Sequence, residues 1–246
     1  MVIEYPYDVD LDKIAKSGQC FRLRRNGMYY QYGPYVVMQL GPKKLWVEDC
    51  VESVFTQTAD YAYIESLMQS RGGYLERCAL AGHGLLILNQ PLFETVISFI
   101  ISQNNNIKRI EGIIDKLCGG PDRPFPLRDE LLNLNINDWE NLGVGYRASY
   151  LYKAVRICDN VFLSNLKTCE ATSKQLDLLQ TIPGVGPKVA NCIALFALKA
   201  YSAFPEDVWI KRIVNTEFNG YFDLTWCRDF AGIVQQYMFY YGRIIK

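Results

Sequence analysis

The stretch "TIPGVGPKVANC", Thr181 to Cys192, decides the architecture of this 246-residue chain. Two glycines, Gly184 and Gly186, flank Val185 in a tight turn, Pro187 follows, and Lys188 opens a helix. Glycine permits φ > 0 or a close backbone approach, and proline suits the first helical position because its missing N–H costs nothing there. A glycine-rich turn feeding a helix N-terminus leaves amides unpaired, and such amides attract anions. With a helix predicted just before it, the segment from about 174 to 200 reads as a helix–hairpin–helix that grips a DNA phosphate through Gly184, Val185 and Gly186. A monovalent or divalent cation on the hairpin carbonyls is a possible accessory, and no cofactor is otherwise required. The plain alternative is an αα-corner whose glycines serve close packing.

The rest of the chain narrows the class. Half of the residues are hydrophobic and 13% are aromatic, enough for a core that buries roughly 70–75% of the unfolded surface. The acidic start "MVIEYPYDVDLDK" has neither an apolar signal core nor an Arg-rich amphipathic pattern, and no apolar run approaches the ~20 residues needed to span a bilayer. The expectation is an intracellular, monomeric protein without a membrane partner, nuclear in a eukaryote and cytoplasmic otherwise. Eight scattered cysteines include no C-x-x-C pair, and His83 is the single histidine. Zinc and iron–sulfur sites need clustered ligands, so no metal site is expected and the cysteines read mostly as small buried apolar residues. Formal net charge is zero. That disfavours a non-specific nucleic-acid binder but leaves room for one that uses backbone amides and a few arginines.

Asn26-Gly27 between aromatic, alternating runs is a strong hairpin signal, and a second hairpin follows around Gly41-Pro42. From about residue 75 the texture becomes helical. "LFETVISFIISQNNN" is apolar on nearly every side, as befits the centre of a bundle. Ile107, Ile110, Ile113, Ile114 and Leu117 form a helical stripe. Further helices are expected near 147–163, 174–181, 187–200, 207–217 and 227–241. The fold class is therefore α+β: an antiparallel β-rich N-terminal domain (1–75) packed on a larger all-α domain (76–246).

Lys188 alone reads two ways. It is a phosphate contact, or it is an amine kept partly neutral by burial that attacks an electrophilic sugar carbon and forms a Schiff base. The second reading needs a carboxylate nearby to stabilise positive charge on the sugar. Asp207 in "AFPEDVWIKR" supplies one, and it is also expected to cap the helix that follows.

At this point the residues resemble a known family. "PGVGPKVANC" with Asp207 resembles the helix–hairpin–helix DNA glycosylases. "SGQCFRLR" (17–24), "SFIISQNNNIKRI" (98–110), "LGVGYRASY" (142–150) and "FAGIVQQYMFYY" (230–241) resemble the 8-oxoguanine DNA glycosylase/AP lyase branch, in order along almost the whole chain. The resemblance implies that Lys188 is the nucleophile and Asp207 its electrostatic partner, acting on double-stranded DNA with 8-oxoguanine opposite cytosine. It implies a pocket for the flipped base made by Phe239 and Cys192 on its two faces, Gln235 on the Watson–Crick edge and the Gly18 carbonyl on N7–H. It assigns Asn104, Arg109 and Arg147 to the orphaned cytosine and Tyr146 to the wedge. Lys188 and Cys192 stand four apart, so they share a helix face, and an amine beside a thiolate-leaning sulfur would make a local dipole.

The chain departs from the family in three places. Trp209 stands where a histidine is usual, Gly242 replaces the acidic partner of that histidine, and Phe196 replaces a methionine on the pocket floor. Two other readings remain: a monofunctional alkylpurine glycosylase, needing Asp207 but not the lysine, and a non-catalytic helix–hairpin–helix DNA-binding module.

Overall fold

The computed structural model describes residues 1–245. Five antiparallel strands, β1 (Val2–Glu4), β2 (Leu23–Asn26), β3 (Tyr29–Tyr32), β4 (Tyr35–Gly41) and β5 (Lys44–Val47), form one sheet in the order β1-β5-β4-β3-β2. Asn26 pairs with Tyr29, so the first hairpin turns on Gly27-Met28, one residue later than the Asn-Gly signal suggests. Gly27 takes the positive φ of +62° that a two-residue hairpin loop demands at its first central position. Gly41 pairs with Lys44, which puts Pro42-Lys43 at the tip of the second expected hairpin. β1 escaped the sequence reading because three residues at an edge carry too little alternation to be seen.

The helix Leu92–Ser102 runs through the centre, buried from Glu94 to Ile101, as its unbroken apolar composition requires. Ile107–Cys118 follows it, with Asn106 capping one end and Gly119 at φ +77° closing the other. The long helix expected over 147–163 divides into Ala148–Ile157 and Asn160–Thr168. Asp159 causes the break: its carboxylate accepts from the Phe162 amide at 2.8 Å and starts a new helix. The C-terminal helix occupies only Ala231–Tyr240, because a kink at Cys227 leaves residues 225–230 as a 3₁₀ segment. No helix among the described residues is long and apolar enough to cross a membrane.

One apolar cluster unites the inner face of the sheet (Leu23, Val37, Val47) with the central helix (Ile97, Ile100) and the hairpin helix (Ala194). A buried ion pair crosses the same junction. Arg22 Nη1 lies 3.3 Å from Glu94 Oε2, with both side chains less than a tenth exposed, and the Tyr32 hydroxyl donates to Glu94 Oε1 at 3.4 Å. Arg22 also donates to the Arg123 carbonyl. Burial pushes the Glu94 carboxyl up, with the Arg22 guanidinium opposing. Removing one member of such a pair leaves the other charge stranded.

A second polar chain starts at the surface. His83 Nδ1 meets Glu65 Oε2 at 2.7 Å and Nε2 meets Asp8 Oδ2 at 3.1 Å. The other Glu65 oxygen accepts from the buried Tyr237 hydroxyl at 2.7 Å, so the network reaches the C-terminal helix. Hydrogen bonds to Glu65 and Asp8 raise the His83 pKa above its ordinary 6.5.

Two outcomes follow from these networks. Arg22→Met is expected to lose about 3–5 kcal/mol in urea unfolding, and Arg22→Met/Glu94→Gln to recover most of it. Because the folded-state pKa of His83 is raised, its contribution is complete below the unfolded value and is lost as pH rises through the folded one. The thermal midpoint should therefore fall as pH climbs above the ordinary histidine range, and His83→Gln should flatten that slope. The half-exposed ring limits the effect to about 1 kcal/mol or less.

Candidate active site

The hairpin forms as its composition requires. Helix Thr172–Gln180 leads into a turn closed by Val185 N donating to the Ile182 carbonyl at 3.0 Å, and helix Pro187–Ala197 leaves it. Of the two glycines, only Gly184 uses a positive φ (+86°). A Cβ there would sit 2.6 Å from the Tyr150 ring, so both the conformation and the contact exclude any side chain. Gly186 is instead extended (φ −88°, ψ −179°), and a Cβ on it would meet open space. The Val185 side chain is buried, which leaves the main chain as the outward face of the hairpin. Among the described residues no cluster of His, Cys, Asp or Glu is placed to hold a metal, so a cation here would rest on main-chain carbonyls.

Lys188 is the second residue of the hairpin helix. Asp207 caps the helix Val208–Glu217, its Oδ1 accepting from the Trp209 and Ile210 amides at 3.0 and 2.8 Å. Both donors bind Oδ1, which leaves Oδ2 uncommitted. Lys188 and Asp207 line one cleft of about 570 Å³, with Gly18, Asn104, Trp209 and Phe239 among its other walls. Lys188 is exposed, without the burial that the reactive reading asked for, and its Nζ lies 5.8 Å from the Phe99 ring centroid.

Below the cleft lies a slot lined by Gly18, Cys192, Phe196, Gln235 and Phe239, with Lys188 and Asp207 at its mouth. The four residues assigned to a base pocket are thus brought together. Gln235 is 3% exposed and its Oε1 has no hydrogen-bond partner, which is costly for a buried carbonyl and suits a site awaiting a donor. Gly18 (φ +78°) is positioned from beneath, because Gln236 Nε2 donates to the Ser17 carbonyl at 2.9 Å. Gln19 Nε2 adds bonds to Ser17 Oγ and the Leu86 carbonyl. The Phe196 ring stacks on Phe99 (5.6 Å, 20°) and floors the slot.

The slot is nearly shut. Its volume is about 50 Å³, room for a water or two but not a purine. Phe239 closes it: its Cε1 stands 3.4 Å from where a Cβ on Gly18 would be. The thiolate-leaning character expected of Cys192 is also corrected. Full burial pushes its thiol up, and the neighbouring Lys188 amine offsets this only in part, so Cys192 is a neutral thiol.

Across the cleft, two loops meet. The central helix ends at Ser102, and Asn104 lies beyond it in the left-handed region (φ +48°), its Nδ2 donating to the Tyr146 hydroxyl at 3.1 Å. Tyr146 is 56% exposed, so it is no core aromatic. Arg147 is 4% exposed rather than a solvated charge. It donates to the Val144 carbonyl at 2.9 Å and to the Gln103 carbonyl, and its guanidinium lies 4.3 Å from the Tyr146 ring centroid. Arg109 is exposed, and its Nη2 donates to the Gly143 carbonyl at 3.3 Å.

The departures are mutually explained. A Cβ at Gly242 would lie 2.6 Å from Ile213 Cδ1 and 2.8 Å from the Tyr74 hydroxyl, so an acidic side chain there to orient a histidine at 209 would have to displace both side-chain ends. Trp209 occupies the cleft rim instead, 37% exposed. The sequence reading missed three contributors: Gln103, whose Nε2 donates to the Gly184 carbonyl at 2.9 Å, Gln236 and Arg243. Two adjacent glutamines in an otherwise apolar helix, Gln235-Gln236, were the available signal for one of them.

Comparisons with known proteins place the chain among relatives. No protein-family model matches the chain. It is 32% identical over 233 residues to the N-glycosylase/DNA lyase OGG1 of Arabidopsis thaliana, covering 81% of this chain and 63% of that protein, so it spans less than two thirds of that relative's length. It superposes on MBOgg1 in complex with a low-affinity DNA ligand with a TM-score of 0.84 and 30% identity, covering 98% of this chain and 94% of the other. The 8-oxoguanine glycosylase/lyase of Clostridium acetobutylicum, in complex with DNA containing cytosine opposite 8-oxoguanine, gives a TM-score of 0.85 and 29% identity over 99% and 97% of the two chains. A solved relative 30% identical and covered over 94% of its length shows that this chain belongs to the 8-oxoguanine DNA glycosylase/AP lyase family of helix–hairpin–helix proteins.

Proposed function

We infer that the chain excises 8-oxoguanine paired with cytosine from double-stranded DNA and then cleaves the abasic strand through a Lys188 imine. The single observation that carries this reading is that Lys188 and Asp207 line both the open cleft and the closed slot beneath it. An amine and a carboxylate at the mouth of a slot that Phe239 must leave before a purine can enter are what base excision with strand cleavage needs. Lys188 Nζ gives up a proton and attacks C1′ as the bond from C1′ to the base breaks; the base departs with that electron pair and takes up the proton. Asp207 Oδ2 stabilises the positive charge that develops on the sugar, and its fixed direction costs no reorganisation. Opening of the sugar ring gives the imine. Loss of a C2′ proton then expels the 3′ phosphate by β-elimination.

Recognition follows from the same walls. The unpartnered Gln235 Oε1 awaits a donor on the base edge, and the Gly18 carbonyl suits the N7–H of the oxidised base. The same carbonyl repels the N7 lone pair of guanine. Phe239 and Cys192 enclose the ring, with a neutral thiol rather than a charged one on its face. Tyr146, held by Asn104 and Arg147, fills the gap in the duplex. Asn104, Arg109 and Arg147 meet the cytosine left behind, whose acceptors suit their donors.

The test is borohydride reduction of the protein mixed with a duplex carrying 8-oxoguanine opposite cytosine. A covalent adduct that disappears in Lys188→Gln is the expected result. Base release without an adduct would point to monofunctional chemistry, and binding without release to a DNA-binding module. Asp207→Asn should slow excision by about 10²–10³-fold, the usual loss for one electrostatic stabiliser. Arg109→Ala should relax the preference for cytosine with little change in stability. Arg147→Ala should both relax it and lower the melting temperature, because the Gln103 and Val144 carbonyls lose their donor. Opposite-base excision ratios and thermal melts check the pair, and an unchanged ratio in both removes them from the cytosine side.

A further inference from the structure

Arg243 follows the C-terminal helix and lines the cleft beside Lys188, Asp207 and Trp209. Its guanidinium carbon is 5.2 Å from the Phe239 ring centroid. Its Nη1 stands 3.4 Å from where a Cβ on Gly18 would be, the same distance as Phe239 Cε1. Guanidinium and ring thus lie together over Gly18, at the mouth of the closed slot. Among the described residues Arg243 has neither an ion pair nor a hydrogen bond, so five donors and a full charge face the cleft uncommitted. A planar cation with free donors suits bidentate capture of a phosphate. Stacked on an aromatic face it also stabilises that ring's position.

These two uses exclude each other in time. No purine enters while Phe239 covers Gly18, and the guanidinium beside that ring lines the cleft through which a nucleotide would arrive. A swing of the Arg243 side chain alone is enough to reconcile them. We propose that Arg243 is a positioning residue that latches Phe239 across the empty base slot and, as the flipped nucleotide arrives, transfers its guanidinium to a phosphate flanking it. Phosphate binding thereby releases the ring, and entry of the base becomes coupled to correct seating of the backbone. The inference rests on the glycosylase/lyase reading above.

The experiment uses the full chain with Arg243→Ala and Arg243→Lys. Binding to a duplex carrying a tetrahydrofuran abasic analogue is measured by anisotropy over a range of KCl. Excision of 8-oxoguanine is measured under single turnover at saturating protein. In Arg243→Ala the loss of one phosphate contact should make the slope of log K against log[salt] shallower by about 1 and weaken binding about tenfold at low salt. Its saturating excision rate should rise above wild type, because nothing latches Phe239. Arg243→Lys should keep the wild-type slope. A slope in Arg243→Ala equal to that of wild type, or a saturating rate below wild type, overturns the proposal. Wild-type protein that neither binds the analogue nor releases 8-oxoguanine would overturn the functional reading instead.

Discussion

A single amide hydrogen bond, from Gln103 Nε2 to the Gly184 carbonyl, aligns everything that matters in the cleft. Gln103 ends the central buried helix, and Gly184 turns the hairpin that delivers Lys188. The same Gln103 accepts from Arg147 through its own carbonyl. One residue therefore ties the lysine side of the cleft to the rim that carries Asn104 and Tyr146. The helices behind the two loops already pack through the Phe99–Phe196 stack, and this bond carries that alignment out to the loops themselves.

From that junction the cleft is assembled from helix starts. Lys188 lies in the first turn of one helix and Asp207 caps another. A cap is a stiff mounting, because two main-chain amides hold one carboxylate oxygen and leave the other with a defined aim. The base slot is mounted differently, on buried glutamines. Gln19 and Gln236 spend their amides on holding Ser17 and so present Gly18, whereas Gln235 keeps its carbonyl oxygen in reserve. Adjacent residues of one helix thus divide the work of building the wall and reading what meets it.

Much of this was legible in the residues. The Gly-Pro-Lys hairpin, the cap at Asp207 and the stripe over Ile107–Cys118 each carry a local signature, and each appears where that signature puts it. Features that depend on packing were not legible. The burial of Arg147 was one of them, because nothing in "GYRASY" announces that two carbonyls converge on its guanidinium. The exposure of Lys188 was not legible either: of its two readings the reactive one asked for burial, and the cleft exposes it. The closed state of the slot has no sequence signature at all, being a matter of where one aromatic ring rests against one glycine. Long helices were over-extended because Asp159 and Cys227 interrupt periodicity without proline or glycine.

The space around Gly242 constrains how this chain can change. With Ile213 Cδ1 and the Tyr74 hydroxyl standing where a side chain at 242 would begin, Trp209→His alone would install an imidazole with no acid at 242 to orient it. An acid at 242 alone would have to displace both of those side-chain ends. The two positions are therefore coupled through Ile213 and Tyr74, so a histidine–acid couple is reached only by changing several residues together.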